Sequence, residues 1–491
     1  MENKLFFDVE DKPKFSQMLI FALQQVLAIL AATIAVPTII GLPTQIPAAI
    51  LGAGVGTLVY QFFTKRKSPV FLGSSFAFLD SLFVAVAYGY CGILLGSVVA
   101  GLVYVVIAGI IHFTGTNWVK KLMPPVIIGP TVAIIGLSLA GNAMGDMVKA
   151  NGTILTYTND LGEVISLFGN YNLVALLCGL IAFATIIICS TQKRRTMPRL
   201  IPFIIGIVAG YAAAAIFTVI GNAADIDYLR IVNFQPIIDN FKNLSLTSFV
   251  DYPRFALLGG INELTSGNMS AEVMEATKGG ATLLDMGGVV EVIVAFLPVA
   301  LVVFAEHIAD HKNLGSIIGR DLIEEPGLKR TLLGDGVGSI MGTLFGICPN
   351  TTYGESVGCV AITKNASVAT ITTTAIMCIV LSFIRPVMVV LQTIPSCVMG
   401  GVCLTLYGFI AVSGLKMFKH LDLDNNKNLF VVASILISGI GGLTIQIPYA
   451  IGATGVTASI KITSIATALI IGIITNAVLT KVENSKLGQE K

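Results

Sequence analysis

Charged residues are scarce in this chain: Asp, Glu, Lys and Arg make up 12% of 491 residues, against 55% hydrophobic ones. Soluble domains carry roughly 25% charge, so an ordinary soluble protein is excluded, and no stretch between the apolar runs is suited to a soluble domain. The eight cysteines contain no C-x-x-C pair and lie mostly within apolar runs. They read as small core residues, not as disulfides or metal ligands. Residues 1–17 place Asp8, Glu10 and Asp11 ahead of any apolar run, which is unlike a cleaved signal peptide. The net charge of +2 says little about partners, and neither a cofactor nor a nucleic acid is expected.

What is present is a succession of apolar stretches near the roughly 20 residues that span a bilayer, such as Met18 to Ile40, Ile93 to Ile111, Leu173 to Cys189 and Ile462 to Leu479. Fourteen membrane segments are expected, near 18–40, 46–63, 70–87, 92–112, 123–142, 171–190, 199–220, 287–309, 330–346, 350–362, 367–390, 396–413, 428–443 and 457–480. Basic residues occupy alternate connections: Lys65, Arg66 and Lys67; Lys120 and Lys121; Lys193, Arg194, Arg195 and Arg199; Lys312, Arg320, Lys329 and Arg330; Lys364; and Lys416, Lys419 and Lys427. With those at the two termini they make up most of the 30 Lys and Arg. The positive-inside rule then puts both termini in the cytoplasm of a multi-pass protein of the cell (inner) membrane.

The longest connection, Gly221 to Met286, holds Asp225, Asp227, Asp251, Glu263, Glu272 and Glu275 and is extracellular on this topology. It separates residues 1–220 from residues 287–481, leaving 482–491 as a cytoplasmic tail. Met123-Pro124 followed by Gly129-Pro130 is echoed by Ile394-Pro395 followed by Gly400-Gly401. Seven spans in each half invert the second copy relative to the first, as in many secondary transporters. The expected fold is therefore an all-α polytopic membrane protein of two inverted seven-segment repeats.

Two counterpart segments, the third and the tenth, are unusually polar: Phe71-Leu-Gly-Ser-Ser-Phe-Ala-Phe78 and Pro349-Asn-Thr-Thr-Tyr-Gly-Glu-Ser356. Each reads as a short extended piece entering a half-helix, whose free amides and positive dipole end face the bilayer midplane. Such backbone survives at membrane depth only where it lines a cavity, and paired interruptions point to a transporter's binding site. Glu306 and Glu355 lie in this setting with no Lys or Arg within four residues. An acid so placed costs roughly 2.5–3.5 kcal/mol at a helix centre and marks a substrate or proton site by default.

Glu306 and Asp310 are four apart and share a helix face. The plain alternative for Glu306 is a carboxylate satisfied by a neighbouring helix, and for Asp310 a solvated residue at a cytoplasmic helix end. Asp80, in the first turn of a half-helix, either complements the helix dipole or takes part in coupling. His307 and His311 are also four apart, the spacing of a zinc pair, but Glu306 precedes both instead of lying between them. A structural or hydrogen-bonding role for His307 fits better.

With these residues in view, the chain resembles the nucleobase and ascorbate transporters, within them most nearly the bacterial uracil:proton symporters. The resemblance is carried by Gly73-Ser-Ser-Phe-Ala-Phe78, Phe304-Ala-Glu-His307, Glu325-Pro-Gly-Leu328, Pro349-Asn-Thr-Thr-Tyr-Gly-Glu355, Ala361-Ile-Thr363, and Pro395 with Val398-Met-Gly-Gly401. It implies a core domain of segments 1–4 and 8–11 moving against a gate domain of segments 5–7 and 12–14, and homodimers are common in the family. Carried over by motif, Glu306 accepts from a nucleobase ring N–H and Glu355 holds the base from the second half-helix. Amides near Phe76 and Gly354 meet its carbonyl oxygens, while Phe76 and Tyr353 bound the flat ring.

The expected substrate-binding residues are thus Ser75, Phe76, Tyr353, Gly354, Glu306 and Glu355, with Glu306, Glu355, Asp310 and Asp80 as candidates for proton coupling. The expected activity is proton-driven uptake of uracil by alternating access, not enzymatic catalysis. Xanthine or another purine base is the alternative substrate, and an anion transporter of the same fold a further one. The chain departs from the family where Asp310 replaces a frequent His, where Gln24-Gln25 stands for Gln-His, and where Ser356 stands for Asn. Residues 256–286 look inserted.

Overall fold

A computed structural model of the chain describes residues 5–150, 156–158, 164–166, 171–192, 198, 201–451 and 456–489. The basic cluster Lys193, Arg194, Arg195 and Arg199 lies outside these residues. Helices dominate the rest, and a helix falls within each stretch read as a membrane segment. Among the described residues nine helices are long and apolar enough to cross a bilayer, and Phe76–Val86, Val368–Ser382 and Asn426–Ile440 are shorter apolar ones.

The structure departs from the expected segments in three places. The Met286–Ile318 helix runs well past the expected end at 309. The stretch 367–390 is broken into Val368–Ser382 and Arg385–Gln392, because Pro386 has no amide hydrogen to continue the first helix and is readily placed in the opening turn of a new one. The stretch beginning at 457 opens as a strand: Val456–Ile462 pairs antiparallel with Ile445–Ile451, from Ile445↔Ile462 to Ile451↔Val456. Alternating β-branched residues such as Ile445-Gln-Ile447 form a period-two pattern that averaging over a membrane-length window conceals.

The helices sort into two packing groups. Phe15–Ile39, Ile46–Phe63, Gly89–Thr114, Met286–Ile318, Leu328–Leu344 and Val368–Ser382 pack mainly on one another. So do Pro125–Ser138, Leu173–Thr191, Pro202–Ala224, Ser396–Lys416, Asn426–Ile440 and Ser464–Gln489. Within the first group, Ile46–Phe63 and Leu328–Leu344 cross backbone to backbone. A Cβ added at Gly52 would stand 2.1 Å from the carbonyl oxygen of Gly342. Lipid supplies no hydrophobic drive between helices, so such small-residue contacts carry the association.

The long connection is folded against the first group. Its Ala256–Ser266 helix places Glu263, 1% exposed, over the start of Gly89–Thr114, where the carboxylate accepts hydrogen bonds from Tyr90 N and Cys91 N, both at 3.1 Å. Helix N-termini favour an anion for the same reason that they leave amides unpaired. Glu272 accepts from the Gln45 side-chain amide at 2.7 Å and from the Tyr90 hydroxyl at 3.0 Å. The apparently inserted residues thus cap a helix. Burial pushes the Glu263 carboxyl above the usual range, while the Tyr90 and Cys91 amides pull it down.

Two outcomes follow for stability. Gly52→Val should prevent accumulation of folded protein in membranes, while Gly109→Val, whose Cβ would meet nothing within 4 Å, should leave it unchanged; fluorescence-detected size-exclusion chromatography reads both. Because its folded pKa is raised, Glu263 contributes stability that is present at low pH and lost as pH rises through that pKa. The difference in Tm, wild type minus Glu263→Gln, should therefore decline as pH rises from the ordinary carboxylate range to above it.

Candidate functional site

Two three-residue strands meet in the interior of the first group. Leu72–Ser74 pairs antiparallel with Asn350–Thr352, in the register Leu72↔Thr352, Gly73↔Thr351 and Ser74↔Asn350. Ser75 N donates to the carbonyl of Pro349 at 3.2 Å and Tyr353 N to that of Phe71 at 3.1 Å, closing the ladder at both ends. Glycine is needed at position 73 because a Cβ there would lie 2.3 Å from the Tyr353 ring. Each strand runs straight into a helix: Leu72–Ser74 into the turn Phe76–Phe78 and Leu79–Val86, and Asn350–Thr352 into Gly354–Thr363. The Ser75 hydroxyl accepts from Ala77 N at 3.3 Å and so caps the first of these. Both helix beginnings, with their unpaired amides, therefore open beside the same strand pair.

The Met286–Ile318 helix faces this pair with Glu306 and Asp310. The Ser75 hydroxyl donates to Glu306 Oε2 at 3.4 Å, and the Thr352 hydroxyl donates to Asp310 Oδ2 at 2.6 Å. Asp310 is 6% exposed, which rules out a solvated residue at a helix end: the helix continues for two more turns. Neighbouring strand residues point to opposite faces, and Thr351 accordingly turns away from Thr352. Its hydroxyl donates at 3.2 Å to Asp335 Oδ2, which is also hydrogen-bonded to His307 Nδ1 at 2.6 Å.

Both ring nitrogens of each histidine are engaged. His307 Nε2 lies 3.0 Å from the Thr331 hydroxyl, while His311 uses Nδ1 to reach the His307 carbonyl oxygen at 2.7 Å and Nε2 to reach the Tyr60 hydroxyl at 2.7 Å. A carbonyl can only accept, so His311 Nδ1 carries a proton, while the Tyr60 hydroxyl that meets Nε2 also donates to the Ser68 hydroxyl at 2.8 Å. These bonds leave no nitrogen free for the zinc-pair alternative.

A cavity of about 720 Å³ lies between the two packing groups. From the first group it is lined by Ser74, Ser75, Phe76, Glu306, Asp310, Asn313 and the run Thr351 to Glu355; from the second by Val132, Ser190, Phe203, Phe409, Ser413 and Lys416. Seven of the eight residues singled out in the sequence, Ser75, Phe76, Tyr353, Gly354, Glu306, Glu355 and Asp310, thus come together on one wall. Asp80 is not among the lining residues; it sits in the first turn of Leu79–Val86, so the coupling role is not supported by position. Phe76 meets the ring of Tyr407 edge-on, with centroids 5.2 Å apart.

Four residues went unmarked in the sequence. Asp335 had a signal: like Glu306 and Glu355 it has no Lys or Arg within four residues. Thr351 and Thr352 lie within the polar stretch Pro349 to Glu355, where residue type alone does not assign them an acid, and Tyr407 sits in an apolar helix where no pattern distinguishes it. Two of the three positions that depart from the family pattern prove to be partners, since Gln25 Nε2 donates to the Ser356 hydroxyl at 2.5 Å.

Known proteins similar to this chain are permeases and transporters. Residues 16–448 match the permease family. The uracil permease of Bacillus caldolyticus is 34% identical, with 97% of this chain and 95% of that protein covered. The uracil permease of Bacillus subtilis is 32% identical, with 99% and 98% covered. Among solved structures, the murine Solute Carrier 26 family member A9 anion transporter in its inward-facing state is similar over 96% of this chain and 70% of that one, with a TM-score of 0.55 at 10% identity. A likeness at that identity concerns the fold alone.

The buried pair behind the cavity has a testable energetic consequence. Asp335→Ala leaves His307 Nδ1 and the Thr351 hydroxyl without their buried partner, and a buried polar group left unsatisfied costs roughly 1–3 kcal/mol. The detergent-solubilised variant should melt well below the wild type, and the double variant Asp335→Leu/His307→Leu should recover part of the loss.

Proposed function

Since the chain belongs to the permease family of nucleobase and ascorbate transporters, a family of multi-pass membrane transporters, we propose that it carries uracil together with a proton across the membrane by alternating access. The observation behind this reading is the convergence of Glu306, Glu355 and two helix beginnings on one cavity. Uracil presents alternating N–H donors and carbonyl acceptors. Carboxylates supply the acceptors and helix-terminal amides the donors that match it. In this reading Glu306 takes a ring N–H, Glu355 holds the base from the second half-helix, the amides near Phe76 and Gly354 meet the carbonyl oxygens, and Phe76 and Tyr353 flank the ring.

Coupling follows from the charge of the site. Glu306, Asp310 and Glu355 line the same cavity, and a proton taken up there relieves the repulsion among them. Substrate and proton then favour each other's binding by linkage. Glu306, Glu355 and Asp310 are the candidate carriers of that proton.

Alternating access is supported by the position of the cavity between two packing groups, which we take as core and gate domains. Its lining reaches Ser190, Pro202 and Lys416, at helix ends that border the basic residues Lys193 to Arg195, Arg199 and Lys419. On the positive-inside rule that mouth is cytoplasmic, as are both termini, and the molecule is open toward the cell interior. Fourteen crossings, counting the two broken segments, complete the proposed inverted repeats. The antiparallel meeting of Leu72–Ser74 with Asn350–Thr352 suits an axis relating the two halves.

The reading is tested in proteoliposomes with an imposed pH gradient, inside alkaline. Labelled uracil should accumulate above equilibrium with wild-type protein and not with Glu306→Ala present at equal amount. Accumulation by Glu306→Ala, or uptake that xanthine suppresses more strongly than uracil does, would overturn the assignment.

A further inference from the structure

Residues 5–11 precede the first helix, yet they are bound to the far end of the second half-helix. Phe6 N and Phe7 N donate to the carbonyl of Lys364 at 2.7 and 3.3 Å. Ala366 N and Val368 N donate in turn to the carbonyls of Phe7 and Val9 at 2.9 and 3.0 Å, forming a short parallel ladder around the bridge Phe7↔Asn365. The Ser367 hydroxyl reaches the Asp11 carbonyl at 2.6 Å. Lys364 is the residue at which Gly354–Thr363 ends, in the left-handed conformation with φ 56°. The segment thus satisfies a carbonyl at the helix terminus that would otherwise be orphaned.

Packing makes the same connection. Val9 is 1% exposed and belongs to an apolar cluster separate from the main core. That cluster includes Val357 and Val360 from the half-helix, and Leu314 and Ile318 from the helix that carries Glu306. One side chain from the N-terminal segment therefore helps wedge together the two helices that bring acids into the cavity. Asp8 also pairs with Arg320 at 2.7 Å, but both are well exposed, and such pairs hold little.

We propose that residues 5–11, through Val9, are a positioning element of the substrate site, a role that rests on the uracil reading above. The half-helix is ten residues long, too short to be stable by itself, and its orientation depends on what packs behind it. With Val9 in place, Gly354 and Glu355 are presented to the cavity. Without it the half-helix samples other orientations, and apparent affinity falls in proportion to the competent fraction. Saturating substrate selects the competent orientation, so the maximal rate is retained.

The test uses the full-length protein carrying Val9→Asp, Val9→Ala or Val9→Ile, with uptake normalised to protein in the membrane. Val9→Asp should raise KM for uracil about tenfold and Val9→Ala less, both with unchanged maximal rate, while Val9→Ile stays near wild type. An unchanged KM in Val9→Asp, or a loss confined to the maximal rate, would overturn the proposal; if Val9→Asp fails to reach the membrane, Val9→Ala decides by the same criterion. Wild-type protein that takes up no uracil would overturn the substrate reading instead. The element is then judged by hydrogen–deuterium exchange over Gly354–Thr363, which Val9→Ala should accelerate and which equal exchange would refute.

Discussion

The site depends on one pairing, that of Leu72–Ser74 with Asn350–Thr352. Inside a bilayer every backbone N–H and C=O must find a partner within the protein, and an interrupted helix forfeits those partners at the break. Two interruptions that face each other in antiparallel fashion supply them mutually. Neither half-helix could begin at that depth without the other. Their amide ends are therefore brought to one place by the requirement that also keeps the breaks tolerable. Gly73 beneath the Tyr353 ring allows the strands to approach that closely.

The same strands settle the acids. Ser75 answers Glu306, Thr352 answers Asp310 and Thr351 answers Asp335. Because strand side chains alternate, Thr352 serves the cavity while Thr351 serves the buried His307–Asp335 pair behind it. Glu306 has the longest of these contacts, at 3.4 Å, which leaves its carboxylate the most available for exchange of a hydrogen-bond partner.

Much of the architecture was legible in the chain. Membrane helices declare themselves because burial in lipid demands some 20 apolar residues in a row, and the two breaks declare themselves because Gly, Ser and Thr are dense where such a run is required. The criterion of an acid without a nearby cation found Glu306 and Glu355, and it applies equally to Asp335. The strand Val456–Ile462 was read as part of a helix because its alternation disappears when hydropathy is averaged. Asp310 looked like a helix-end residue only because the helix was taken to stop before Ile318.

Residue types and spacing, taken alone, determined that the protein lives in a membrane, that the stretches around Gly73 and Thr351 do not form continuous helix, and which acids are too costly there to be incidental. Tertiary structure decided the partners. Thr352 for Asp310, Ser356 for Gln25 and the N-terminal segment for Lys364 join residues 42, 331 and about 358 positions apart. Periodicity reports only the environment of a single helix or strand. Which polar group ends beside which is set by the packing of the whole, and in a medium without water those pairings are what the site is made of.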